Sequence, residues 1–164
     1  MQKTMKTPAI IYDIDGTLSD PTHRLHFIQE EPRDWKSFYE QAPKDPAYRS
    51  MIQFLLKRAM EGYKPLYLTS RPESMRDMTT EWLFRFGCPI SPIFMRPEGD
   101  YRPSEQIKKE QLTQVLNSPA NYEIYEAYDD NSANLNLFVE ARIPRVLHPY
   151  SVLFEHSPVT HHLV

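Results

Sequence analysis

The sequence predicts an α/β fold in which a central parallel sheet of about five strands is sandwiched between helices. Three observations predict it. Short β-rich runs alternate with segments whose apolar residues recur at helical spacing, the pattern of parallel crossovers. Fifteen prolines fall between those segments and read as punctuation. The chain has 164 residues, of which 40% are hydrophobic and 25% charged. That is enough for one globular core, and too apolar for a disordered chain.

The first strand is Ala9-Ile10-Ile11-Tyr12, and it runs straight into Asp13-Ile14-Asp15-Gly16-Thr17. Residues 19–46 fit neither period and read as a small insert with two short helices joined at Pro32. Ile52, Leu55, Leu56, Ala59 and Met60 mark a helix over Tyr48 to Glu61, stopped by Gly62. Strand two is Pro65 to Leu68 and leads into Thr69-Ser70-Arg71-Pro72. Met75, Met78, Trp82, Leu83 and Phe86 mark the next helix, which stops at Gly87. A short strand near Pro92 to Met95 leads to the charged loop Arg96 to Arg102. Helix three opens near Ser104 and carries Ile107, Leu112, Val115 and Leu116. Strand four, Glu123 to Tyr128, ends in Asp129-Asp130. A last helix with Leu135, Phe138 and Val139 precedes strand five at Val146-Leu147, and 151–164 reads as a tail without pattern. The whole of 1–164 is expected to be a single domain.

Composition excludes several functions. Four glycines cannot build a Gly-rich phosphate loop of either common type, which removes P-loop kinases and Gly-fingerprint oxidoreductases. A net charge of −3 gives no global field for nucleic acid, so such a substrate needs a local basic site. The single cysteine, Cys88, can make neither an intrachain disulfide nor a CxxC metal site. The longest apolar run, Ala9 to Tyr12, is far short of the ~20 residues of a bilayer span, and no stretch has signal-peptide character. The expectation is a cytoplasmic protein without membrane contact or an obligate protein partner.

In open parallel sheets, ligands sit outside the carboxyl ends of the strands. Strand one delivers Asp13 and Asp15 there, strand two Thr69, and strand four Asp129 and Asp130, with Lys108 near the start of the helix before strand four. Four carboxylates together repel unless a cation neutralises them, and all-oxygen ligands suit Mg²⁺. A hydroxyl and a lysine beside them can hold an anion's oxygens, and the combination spells phosphoryl transfer. In extended backbone, Asp13 and Asp15 project to one side, so one carboxylate can attack phosphorus while the other moves protons. As a string alone, Asp-x-Asp-Gly is more often just a polar loop at a strand end.

DIDGTL (Asp13 to Leu18), TSR (Thr69 to Arg71), Lys108 and Asp129-Asp130, in that order, resemble the four motifs of haloacid-dehalogenase (HAD) superfamily phosphohydrolases. The resemblance implies a Rossmann-like three-layer α/β/α sandwich. It implies Asp13 as nucleophile and metal ligand, and Asp15 as general acid/base that lends its backbone carbonyl to the metal. It further implies Thr69 on the transferring phosphoryl group, Lys108 neutralising it, and Asp129 and Asp130 completing the Mg²⁺ site. An acid at Asp15 favours phosphatase over dehalogenase or ATPase chemistry.

Phe94 to Leu112 resembles the 3′-phosphatase domain of phage-type polynucleotide kinase–phosphatases through Arg96, Gly99, Asp100, Arg102 and Lys108. Ser70 stands where those enzymes commonly have glycine, and this sequence has no kinase domain. One helix, one strand and a loop use up the stretch between Arg71 and Lys108, so no large cap fits there. An open site admits macromolecular phosphate esters. The substrate-binding candidates are therefore Thr69, Ser70, Arg71, Arg96 and Arg102, with Trp35, Tyr39 and Tyr101 as candidates for stacking on a base, although Trp35, with Phe38, reads first as core of the insert. The expected substrate is a phosphorylated nucleic-acid end or a nucleotide, and removal of a 3′-phosphate is the leading reading. A nucleotidase or small-metabolite phosphatase is the alternative. A phospho-accepting receiver module fits less well, because it takes its acceptor from a middle strand. His23 and His26, at i and i+3, read as surface or cap-packing residues.

Overall fold

A computed structural model describes residues 5–155. The expected parallel sheet is present, with five strands: β1 (Thr7–Tyr12), β2 (Lys64–Pro72), β3 (Ile93–Arg96), β4 (Tyr122–Tyr128) and β5 (Arg145–Leu147). Their order is β3-β2-β1-β4-β5, and every pairing is parallel. The helices in chain order are α1 (His26–Gln29), α2 (Trp35–Glu40), α3 (Arg49–Met60), α4 (Arg76–Arg85), α5 (Ser104–Leu116), α6 (Ser132–Glu140) and α7 (Pro149–Glu155). None is long and apolar enough to cross a membrane.

Alternation along β1 creates two cores. Ile10 and Tyr12 face a cluster with Met51 and Leu55 of α3, Trp82 and Leu83 of α4, and Val152 of α7. Ala9 and Ile11 face the opposite cluster, with Leu112 and Val115 of α5 and Phe138 of α6. The chain leaves β1 toward β2 and β3 and returns through α5 to β4 on the other side of β1. That reversal opens a crevice at the carboxyl ends of β1 and β4.

Several expected details are corrected. The patternless tail begins inside α7, whose Val152 is buried in the first core, while residues 156–164 lie outside the described set. Met60, Leu116 and Val139 keep their helical spacing but lie on the solvent side, at 90%, 55% and 60% exposure. Each sits beyond the stripe that its helix turns inward. β2 runs through Thr69-Ser70-Arg71-Pro72 and does not stop at Leu68. β4 carries a bulge: Ala9 pairs with Ile124 but Ile10 with Glu126, leaving Tyr125 outside the ladder.

The insert is short and pinned at its neck. Asp20 N donates to Pro46 O at 2.8 Å, and Tyr48 N donates to Leu18 O at 2.8 Å. Between these ties lie a 3₁₀ turn (Thr22–Arg24), α1, α2 and a second 3₁₀ turn (Ala42–Lys44).

Candidate active site

At the end of β1 the backbone folds onto one carbonyl. The amides of Thr17, Leu18 and Ser19 all donate to Ile14 O, at 3.1, 2.9 and 2.9 Å. Gly16 makes the turn possible in two ways. Its φ is +85°, and a Cβ there would lie 2.1 Å from Asp130 Oδ2.

Lys108 organises the carboxylates. Its ammonium donates to Asp13 Oδ1 at 2.6 Å, Leu68 O at 2.5 Å and Asp129 Oδ2 at 3.0 Å. All three of its donors are thereby used. Thr17 Oγ1 reaches the other oxygen of Asp13 at 3.4 Å. Asp129 is held by Asn134 Nδ2, 3.1 Å from each oxygen, and by the Asn131 amide at 2.9 Å. Asp130, exposed, completes a trio with Asp13 and Asp129 whose ligand atoms lie within 4.8 Å of one another.

One ammonium cannot balance three carboxylates. Burial and then the charge of Asp129 hold the Asp13 carboxyl well above its usual range. The same two causes push Asp130 up to about 6. Burial pulls Lys108 down, but Asp129 and Asp13 more than offset it, so the lysine stays charged. Converging oxygens with residual negative charge fit a hard divalent cation, which relieves the repulsion the raised pKa values record.

Asp15 takes different partners. Its Oδ2 accepts from Arg71 Nε at 2.9 Å, and its Oδ1 accepts from Arg71 Nη2 at 2.7 Å and Arg24 Nη2 at 2.5 Å. Both arginines are completely buried. Asp45, also buried, accepts from Arg24 Nε at 2.7 Å and Arg24 Nη2 at 2.6 Å, with Arg71 Nη2 at 3.4 Å. Two guanidiniums and two carboxylates make a neutral quartet, and His23 Nε2 lies 2.8 Å from Asp45 Oδ1. Burial raises the Asp15 pKa, but the pull of Arg71 and Arg24 prevails and holds it far below the usual range.

The structure thus brings Asp13, Lys108, Asp129 and Asp130 together and sets Asp15 beside them in its own clamp. Thr69 is buried, and its Oγ1 accepts from the Arg71 amide at 3.1 Å. Ser70 Oγ pairs with Ser104 Oγ at 2.7 Å. Arg71 gives its fork to Asp15 and presents no surface to solvent. Arg96 knits the charged loop, donating to Ser70 O at 2.9 Å, Asp100 O at 3.0 Å and Arg102 O at 2.6 Å. Arg102 forks instead between Asp100 and Glu110 on its own surface. Tyr101 is 93% exposed.

Sequence reading missed Arg24, Asp45 and Asn134. The first two sit in a segment with no period, so nothing marked them as buried. Asn134 lies one helical turn beyond Asp130 on the helix that follows the acidic pair, and that position was a usable signal.

Residues 7–144 match the family model of the polynucleotide kinase PNKP phosphatase domain. The chain belongs to this family. The PNKP phosphatase domain is a HAD-type phosphatase, and its solved likenesses agree. The Pnkp1 chain of the Pnkp1/Rnl/Hen1 complex is 25% identical with a TM-score of 0.70, over 90% of this chain and 47% of that one. The class C acid phosphatase from Bacillus anthracis shares the fold at 22% identity and a TM-score of 0.60, over 81% of this chain and 55% of that one. Phosphatidate phosphatase LPIN3 of Mus musculus is 27% identical over 95 residues, 55% of this chain and 10% of that protein. The domain therefore spans about a tenth of the length of the curated relatives it matches and about half of the Pnkp1 chain.

Proposed function

We propose that this domain is a Mg²⁺-dependent phosphomonoesterase that removes 3′-phosphates from DNA or RNA ends through an aspartyl-phosphate. The observation that carries this reading is Lys108 bridging Asp13 and Asp129, with Asp130 beside them. Asp13, Asp129 and Asp130 supply side-chain oxygens to Mg²⁺. When bound, the ion neutralises the incoming phosphate and the carboxylates together.

Asp13 attacks phosphorus, the ester bond to the leaving oxygen breaks, and that oxygen takes a proton that Asp15 has first accepted from the phosphate monoanion. Water then attacks the aspartyl-phosphate, Asp15 takes its proton, and phosphate leaves carrying that proton, with Asp13 and Asp15 both restored as carboxylates. The arginine clamp keeps Asp15 ionised at rest, which suits it to accept a proton from water. The proton for the first step then comes with the substrate, as the monoanion of the phosphate ester, whose second pKa is about 6.

Family membership and a site that, among the described residues, is covered by a short insert support a nucleic-acid end as substrate. The test is Mg²⁺-dependent phosphate release from a 3′-phosphorylated oligonucleotide, its 5′-phosphorylated counterpart, and 3′- and 5′-mononucleotides. Preference for the 3′-phosphorylated oligomer is expected. Equal or faster turnover of mononucleotides makes the domain a nucleotidase with the same chemistry.

A further inference from the structure

The α2 helix carries two aromatic rings that have different surroundings from the buried ring between them. Trp35 opens the helix and Tyr39 follows one turn later, with ring centroids 5.9 Å apart and planes at 27°. Phe38 takes the core contact, buried with the Arg24 guanidinium 4.1 Å from its ring centroid. Trp35, the largest apolar side chain of the insert, is left 43% exposed. Its position is nonetheless fixed. Asp34 caps the helix by accepting from the Ser37 amide at 2.9 Å and Ser37 Oγ at 2.6 Å, and Phe38 meets the indole edge-on at 5.8 Å.

Tyr39 ties this pair to the site. It packs with Ala42, Met75 and Met95, and the carbonyl of its neighbour Phe38 accepts from Arg24 Nη1 at 3.4 Å, the same guanidinium that donates to Asp15. The Tyr39–Trp35 stack therefore starts one residue from the guanidinium that holds Asp15, and its other end, Trp35, is the exposed one. A proton donor must lie within hydrogen-bond reach of the leaving oxygen, so the leaving alcohol sits on the Asp15 side. When that alcohol is a nucleoside, its sugar lies next to Asp15 and its base one step further out, where the two rings stand.

We propose that Trp35, backed by Tyr39, is the stacking platform for the base of the terminal nucleotide whose phosphate the site removes. This rests on the end-phosphatase reading. Base–aromatic stacking contributes about 1–3 kcal/mol per base and tolerates any sequence, which suits an enzyme acting on ends. It is also a local device, so it works without the global positive charge that this chain lacks.

The experiment compares kcat/KM for a 3′-phosphorylated oligonucleotide with kcat/KM for the same oligomer made abasic at its last nucleotide, in wild type, Trp35→Ala and Trp35→Phe. Wild type is expected to favour the intact oligomer, and Trp35→Ala to reduce that ratio by about tenfold, within the 5- to 150-fold span of one stacked base. Trp35→Phe restores most of it, because a phenyl face still stacks. Being a ratio, the readout does not move with a general loss of folded protein. An unchanged ratio in Trp35→Ala, or a wild type indifferent to the base, overturns the proposal. Base-dependent turnover of 3′-mononucleotides without turnover of the oligomer retires the end-phosphatase reading and keeps the platform. Binding gives a second readout. Trp82 is buried, so in an Asp13→Asn protein the quenching of indole fluorescence by the intact oligomer reports Trp35. Equal quenching by intact and abasic oligomers counts against the platform.

Discussion

Asp13 and Asp15 are two residues apart, yet each is defined by what surrounds it. Asp13 is buried among like charges with one lysine, and Asp15 is clamped by two arginines. Asp13→Asn is expected to abolish turnover while leaving circular dichroism and the unfolding midpoint close to wild type, because Lys108 keeps its bond to Asp129. Residual phosphate release above background would remove Asp13 as the nucleophile. Gly16→Ala meets two obstacles: a left-handed backbone and a Cβ placed on the Asp130 carboxylate. We expect about 1–3 kcal/mol of lost stability and, because Asp130 must move, little further stabilisation on adding Mg²⁺. Denaturant unfolding with and without the ion checks both. The convergence of Asp13, Asp129, Asp130 and Lys108 was legible in the sequence because strand ends and motif order constrain them jointly. Arg24 and Asp45 were not, since their burial depends on how an aperiodic insert folds back over the sheet.

Among the elements, α2 is both short and exposed, so its first turn depends on its cap. Asp34→Ala removes both bonds to Ser37 and is expected to loosen that turn. Faster amide exchange should be confined to α2 and the turn after it. Exchange spreading to α3 would show that the insert folds as one unit with the sheet. The strands and long helices could be read because period and punctuation agree there. β4 could not be read in full, since Ile124 faces one core while Glu126 and Tyr128 face the other. That switch needs the extra residue Tyr125, which no alternation rule anticipates. The bulge sets Tyr12 opposite Tyr128, and so Asp13 beside Asp129. α7 escaped notice because its buried positions among the described side chains, Pro149 and Val152, make a single i, i+3 pair, too little to mark a period.

Across the whole molecule, the carboxylate trio links stability to pH and to metal. Asp130 titrates at about 6 in the fold against an ordinary value near 4, and Asp13 is shifted the same way. A carboxyl raised by folding favours the fold while protonated and stops doing so as pH rises through its folded value. Without metal, the melting temperature is therefore expected to fall between pH 5 and pH 7, and added Mg²⁺ should raise it more at pH 7. Asp15, shifted downward, is ionised throughout that window and adds no slope. A metal-free melting temperature that rises from pH 5 to pH 7 would contradict the charge balance drawn for the trio. The other buried cluster constrains descent. Asp15, Arg24, Asp45 and Arg71 cancel one another only as a set, so losing one leaves a charge buried without its partner, at about 3–5 kcal/mol. Related sequences are expected to change Arg24 and Asp45 together or leave both alone, so the two positions should covary.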